Sequence, residues 1–179
     1  MLYLFLTNGS EELEAIAPLD ILRRAGIAVQ SVGIGGKTVV GSHGVAITCD
    51  ITESDLDFSK PFTGVILPGG PGWEALAASP AVQEALRQTA AQGGLLAAIC
   101  AAPAILGRAG LLQGCKATCF PGFEEELRAA RFCNAPVVRD GNRVTSRGAG
   151  TAIAFGLALA TYLSSPEKAE AVAAAIQCP

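Results

Sequence analysis

Three short runs of this chain, Leu2–Thr7, Gly64–Leu67 and Leu95–Ile99, carry no charged residue and show no polar alternation, and helical patterns separate them. A strand wetted on one face alternates apolar and polar side chains. A strand that does not alternate must be covered on both faces, the condition of a parallel sheet sandwiched between helices. The wider composition agrees. Half of the 179 residues are hydrophobic and only 16% are charged, against about a quarter in ordinary domains. Either the elements are buried on both faces or some surface is hidden in an oligomer. The length suits one domain, and no linker, repeat or low-complexity segment divides it, so residues 1–179 read as a single α/β domain.

The helical patterns fill the intervals. Glu11–Ala25 has acidic residues in its first turn and Gly26 just past its end, as the macrodipole and the C-cap preference require. Ile27–Val32 follows as a strand, and Thr38–Val40 with Val45–Thr48 as a small hairpin. Pro80–Gln92 is a helix with proline in its first turn and Gly93-Gly94 as its stop. Ala101–Ala109 is expected as a helix, Pro136–Arg139 and Arg143–Ser146 as strands, and Thr151–Leu163 and Pro166–Ile176 as closing helices.

Several functions are disfavoured. Net charge is −3 without a Lys/Arg run, so no basic stripe offers itself to nucleic acid. No apolar stretch approaches the ~20 residues of a membrane span. The apolar N-terminus lacks a basic flank and a cleavage signature, so it reads as a strand and not a signal peptide. The expectation is a soluble, cytoplasmic protein. Its six cysteines then need not pair. Cys115 and Cys119 have the wrong spacing for a zinc knuckle, and His43 is the single histidine, so neither metal nor cofactor is expected.

The chemistry concentrates at Ile99-Cys100-Ala101-Ala102-Pro103. An apolar strand runs without spacer into an alanine-rich helix, and only small residues tolerate so sharp a turn; serine hydrolases solve the same problem with glycines. Such an elbow lifts Cys100 to the carboxyl edge of the sheet, where open α/β folds bind ligands. It also sets the sulfur near a helix N-terminus, which favours thiolate. The alternative is an ordinary buried cysteine at a strand end. Pro68-Gly69-Gly70 brings backbone N–H groups within reach of an oxyanion, although glycines after strands are mostly turns. Glu11 and Glu12 read as solvated partners of the helix dipole. Glu14, one turn in and flanked by apolar residues, would be desolvated beside a sulfur, with a raised pKa and a proton to shuttle.

These pieces, as G-S-E-E-x-E-A, L-P-G-G, A-A-I-C-A-A-P-A and T-S-R-G-x-G-T over Thr145–Thr151, resemble the DJ-one/ThiJ/PfpI superfamily. The similarity spans nearly the whole chain and is greatest to the branch of the Parkinson-disease protein deglycase and its bacterial ThiJ-like relatives. The resemblance implies a flavodoxin-like three-layer sandwich, mostly parallel, with helices on both faces, and a homodimer. It assigns Cys100 as reactive nucleophile and Glu14 as its hydrogen-bonding glutamate. Gly69, Gly70 and the Ala101 amide would line the site, and Arg147 would bind an anion near it. Two departures stand out. Ala101 occupies the place of the histidine that follows the cysteine in protease-like members. Phe120 stands in a loop where many relatives have histidine and cannot move protons. His43, where relatives often show arginine, reads as a surface or dimer-contact residue. The implied activity is that of a glyoxalase III or deglycase, acting on methylglyoxal, similar oxoaldehydes or their early protein and thiol adducts. The alternative is a redox sensor or stress-activated chaperone using reversible oxidation of Cys100.

Overall fold

The computed structural model describes residues 1–178. In chain order the elements are β1 (Leu2–Leu6), α1 (Glu12–Arg24), β2 (Val29–Gly33), β3 (Thr38–Val40), β4 (Ala46–Thr48), β5 (Ile51–Thr52), β6 (Gly64–Leu67), α2 (Trp73–Ala78), α3 (Pro80–Ala91), β7 (Leu95–Ile99), α4 (Pro103–Arg108), β8 (Lys116–Ala117), β9 (Arg131–Phe132), β10 (Val137–Asp140), β11 (Arg143–Ser146), α5 (Ala152–Leu163) and α6 (Pro166–Ala175). Seven strands form one sheet in the order β10-β11-β7-β6-β1-β2-β5, parallel throughout except for β10 at one edge.

The three unalternating runs are the three central strands, β1, β6 and β7, and they divide their side chains between two cores. From β1, Leu2, Leu4 and Leu6 meet Leu19 and Leu22 of α1 and Phe155 and Leu159 of α5, with Val172 of α6 behind. Tyr3 and Phe5 point the other way, toward Leu76 of α2, Val82 and Leu86 of α3 and Ile105 of α4. Helices therefore cover both faces, and the architecture is the expected flavodoxin-like sandwich. At about 25 cal/mol per Å² of buried apolar area, covering both faces is what makes strands without polar residues stable.

Several boundaries differ from the expectation. The strand after Gly26 begins at Val29, because Ile27 N–H still closes back on Leu22 O at 2.9 Å. The helix after Cys100 starts at Pro103, leaving two residues of turn, and spans six residues. Helix α2 was not anticipated: it too has six residues, pressed between Gly72 and the cap of α3, too few for a periodic pattern. The hairpin of β3 and β4 forms as expected.

Phe155 is fully buried between α1 and the sheet. Phe155→Ala should cost about 3–5 kcal/mol in urea unfolding. A loss under about 1 kcal/mol would put the residue outside the core.

Candidate active site

Cys100 is the first residue after β7, and its φ is +64°. A side chain in this left-handed region costs about 1–2 kcal/mol, so neighbours must hold it there. They do so at both backbone groups. Cys100 N–H donates to Ser146 O of β11 at 2.9 Å, and Cys100 O accepts from Phe120 N–H at 2.8 Å. The strained turn lifts the half-buried sulfur off the carboxyl end of the sheet.

Glu14 reaches the sulfur from the first turn of α1. Leu13 beside it is 58% exposed while Glu14 is fully buried, which follows from the 100° step between successive helical residues. The loop after β6 clamps this turn through one glycine. Gly69 N–H donates to Glu14 Oε2 at 2.8 Å, and Gly69 O accepts from Glu11 N–H at 3.1 Å. A Cβ at Gly69 would stand 2.8 Å from Cys100 Cβ and 3.0 Å from Glu14 Oε2, so the close approach requires glycine. The Gly69 amide is thereby spent on Glu14. Contrary to its expected place in the oxyanion lining, it holds the carboxyl.

Oε1 of Glu14 is buried with no hydrogen-bond partner. Within hydrogen-bonding reach of the carboxyl there remains the Cys100 sulfur. A buried carboxylate oxygen with nothing to accept from is costly, by about 1–3 kcal/mol or more. Protonation of the carboxyl reduces that cost. The electrostatics run the same way. Burial, aided by the negative charge of Glu11, pushes Glu14 up to about 7, against the opposing bonds from Gly69 and Cys100.

The thiol corrects the simple picture of a dipole-lowered cysteine. Burial and then the Glu14 charge push Cys100 up to about 12, while the N–H groups of Gly70 and Ala101 pull it down. The helix dipole adds little, because α4 begins three residues later and is short. What titrates is the pair. Between about 7 and about 12 the pair holds one proton, which the two values place mainly on sulfur with Glu14 ionised. The two amides at the sulfur support the minor arrangement with the proton on oxygen, the one that carries a thiolate.

The remaining candidates sit as follows. Arg147 bonds to Asn134 Oδ1 and acts electrostatically on buried Cys119, which burial holds up at about 11. Its described bonds include none to Cys100 or Glu14. Glu11 and Glu12 are not simply solvated. Glu11 Oε2 caps α1 by accepting from Glu14 N–H at 2.8 Å. Glu12, its side chain only 12% exposed, accepts from His43 N–H at 2.6 Å and pairs with His43 Nδ1 at 2.9 Å. These bonds and Ser42 outweigh its desolvation and hold it at about 2. One ligand atom each from Glu11, Glu12 and His43 lies within 4.8 Å of the others, but all three are engaged with the protein. His43 thus ties the β3–β4 hairpin to α1. The sequence reading missed Ser146, whose carbonyl anchors the elbow, and the contact between Phe120 and Gly148. Both lie against the T-S-R-G motif, the signal that could have found them.

The model of the DJ-1/PfpI family matches residues 1–162. The chain is 40% identical to Parkinson disease protein 7 homolog of Danio rerio over 179 residues, 97% of this chain and 93% of the relative. It is 33% identical to glutathione-independent glyoxalase DJR-1.2 of Caenorhabditis elegans over 169 residues, 93% of this chain and 90% of the relative. The crystal structure of Drosophila melanogaster DJ-1beta superposes with a TM-score of 0.93 at 38% identity, covering 99% of this chain and 97% of that one. No helix among the described residues is long and apolar enough to cross a membrane.

Alkylation of Cys100 by iodoacetamide, followed by peptide mass spectrometry, should accelerate through about pH 7, where the pair sheds its first proton, and should outpace every other cysteine. Below that pH both groups are protonated and the sulfur is inert. A rate that climbs only near an isolated thiol's pKa of about 8.5, or faster labelling of Cys115 or Cys133, would separate Glu14 from the reactivity.

Proposed function

Because the chain belongs to the DJ-1/PfpI family, we propose that it is a cofactor-independent enzyme converting small 2-oxoaldehydes such as methylglyoxal to 2-hydroxy acids. By the same chemistry it would act on the early adducts these aldehydes form with protein amines and thiols. The observation that carries the reading is the Cys100–Glu14 pair: two amides at the sulfur, and a buried carboxyl beside it whose Oε2 is fixed by Gly69 and whose Oε1 has no partner. The C. elegans relative named a glutathione-independent glyoxalase supports it. So does Ala101, which leaves no adjacent histidine for proteolytic chemistry.

In this mechanism the Cys100 thiolate attacks the aldehyde carbon and forms a C–S bond. The carbonyl electrons move to oxygen, where the Gly70 and Ala101 amides, released from the sulfur, stabilise the negative charge. Glu14 protonates this oxygen and gives a neutral hemithioacetal. As carboxylate it then removes the hydrogen from the same carbon, forming an enediol, and returns that proton to the neighbouring carbon. The product is a 2-hydroxy thioester. Water cleaves it to the hydroxy acid and regenerates the Cys100–Glu14 pair. The net change is addition of one water, with no external oxidant or reductant.

Glu14→Gln tests this assignment. Gln keeps the shape and a hydrogen-bond donor but exchanges no protons. Methylglyoxal turnover by the purified chain should fall about 10²-fold or more, while Cys100 is still alkylated. Turnover near the wild-type rate in this variant would return Glu14 to a structural role. A wild-type chain that turns over no aldehyde, yet oxidises Cys100 reversibly with peroxide, would favour the redox-sensor alternative.

The chain acts as a cytoplasmic homodimer in this proposal. Leu13 and Ile16 on the outer face of α1 and Ile153 at the start of α5 stand 58%, 43% and 47% exposed, more apolar surface than a monomer keeps in water without use. Light scattering at micromolar concentration should give twice 18.2 kDa; a monomer mass would refute the dimer.

A further inference from the structure

The rim of the thiol site carries an aromatic ring for which the proposed reaction has no use. Phe120 follows the buried Cys119, and its backbone N–H donates to Cys100 O at 2.8 Å, so its position is tied to that of the nucleophile. The side chain is 46% exposed. Its inner edge lies against the bare backbone of Gly148. A Cβ placed there would be 3.3 Å from Phe120 Cδ2 and 4.0 Å from Glu14 Oε1. The ring therefore stands one missing methyl group away from the carboxyl oxygen that has no partner. The following turn is closed by Phe123 N–H donating to Phe120 O at 3.1 Å, which fixes the ring's backbone from the other side.

A phenyl ring exchanges no protons, and left half in water it costs free energy. A substrate substituent that covers its open face recovers that cost as binding. The ring is tied through its backbone to Cys100 and stands by Gly148 on the Glu14 side of the site, so for a substrate bonded to the sulfur the group within its reach is the substituent on the carbon next to the one attacked. Accepting the oxoaldehyde reading above, we propose that Phe120 is the specificity-determining residue of the site. It is an apolar wall that favours 2-oxoaldehydes bearing an aryl or alkyl group on the ketone carbon over glyoxal, which has only hydrogen there. Aromatic substituents gain most, because ring pairs attract beyond the area they bury.

The test compares glyoxal, methylglyoxal and phenylglyoxal with the full chain and with Phe120→Ala and Phe120→Leu. The wild type should prefer phenylglyoxal. Its kcat/KM ratio over glyoxal should drop by about threefold to tenfold in Phe120→Ala, chiefly through KM. Phe120→Leu should keep the preference for methylglyoxal over glyoxal and lose that for phenylglyoxal. An unchanged ratio in Phe120→Ala overturns the wall. A second measurement needs no turnover: the rate of Cys100 alkylation by 2-bromoacetophenone relative to iodoacetamide, which should fall in Phe120→Ala by a similar factor. If the wild type turns over no oxoaldehyde but this alkylation ratio falls, the aromatic wall stands and the proposed reaction does not. If turnover is present and neither ratio moves, the reaction stands and the wall does not.

Discussion

The hydrogen bond from the Gly69 amide to Oε2 of Glu14, at 2.8 Å, fixes the orientation of a buried carboxyl within reach of the sulfur. Without it the carboxyl could turn, and a proton on either oxygen would have no fixed direction. With it, one oxygen accepts from the backbone and the other is the natural seat of the proton. The same glycine accepts from Glu11 N–H, so the loop after β6 and the first turn of α1 are locked by both polar groups of one residue. The lack of a side chain there lets the Cys100 elbow close to van der Waals distance. Carboxyl, elbow and loop are thus one packing unit, and the shared proton is its consequence.

Burial does opposite things to the two members of the pair. It raises Glu14 into the neutral range, where a carboxyl can both give and take a proton. It also raises Cys100, which by itself would make the thiol inert. The opposition is eased because the pair holds a single proton over the range between them: whenever that proton rests on the carboxyl, the sulfur is anionic. Two backbone amides at the sulfur support that arrangement without outweighing burial. A lone cysteine at a helix N-terminus would be described by its own pKa, and this one cannot be.

The polar groups just outside the site are bonded within the protein. Glu12 and His43 join the β3–β4 hairpin to α1, Glu11 caps the helix, and Arg147 is held by Asn134. Three acidic residues in four positions thus do three different jobs: one caps, one ties down a hairpin, and one shares a proton with sulfur. The difference arises from where each side chain leaves the helix, and not from its chemistry.

Much of this was legible in the residues alone. Unalternating runs at β1, β6 and β7 announced a sheet covered on both faces. Glycine and proline marked most helix ends, and the apolar strand running straight into Cys100 marked the elbow. Glu14 stood apart from Glu11 and Glu12 by its apolar neighbours. These features are local, written in periodicity and spacing, and local patterns survive in a linear string. Tertiary structure alone decided the rest. That Gly69 serves the carboxyl and not an oxyanion, that Ser146 O and Phe120 N–H hold a strained Cys100, and that Phe120 meets Gly148 beside Glu14 all depend on contacts between segments from 20 to 134 residues apart. So does the coupling that replaces a simple low-pKa thiolate with a shared proton. The energy of a buried charge is set by whatever surrounds it in space, and a sequence records only which residues lie beside it along the chain.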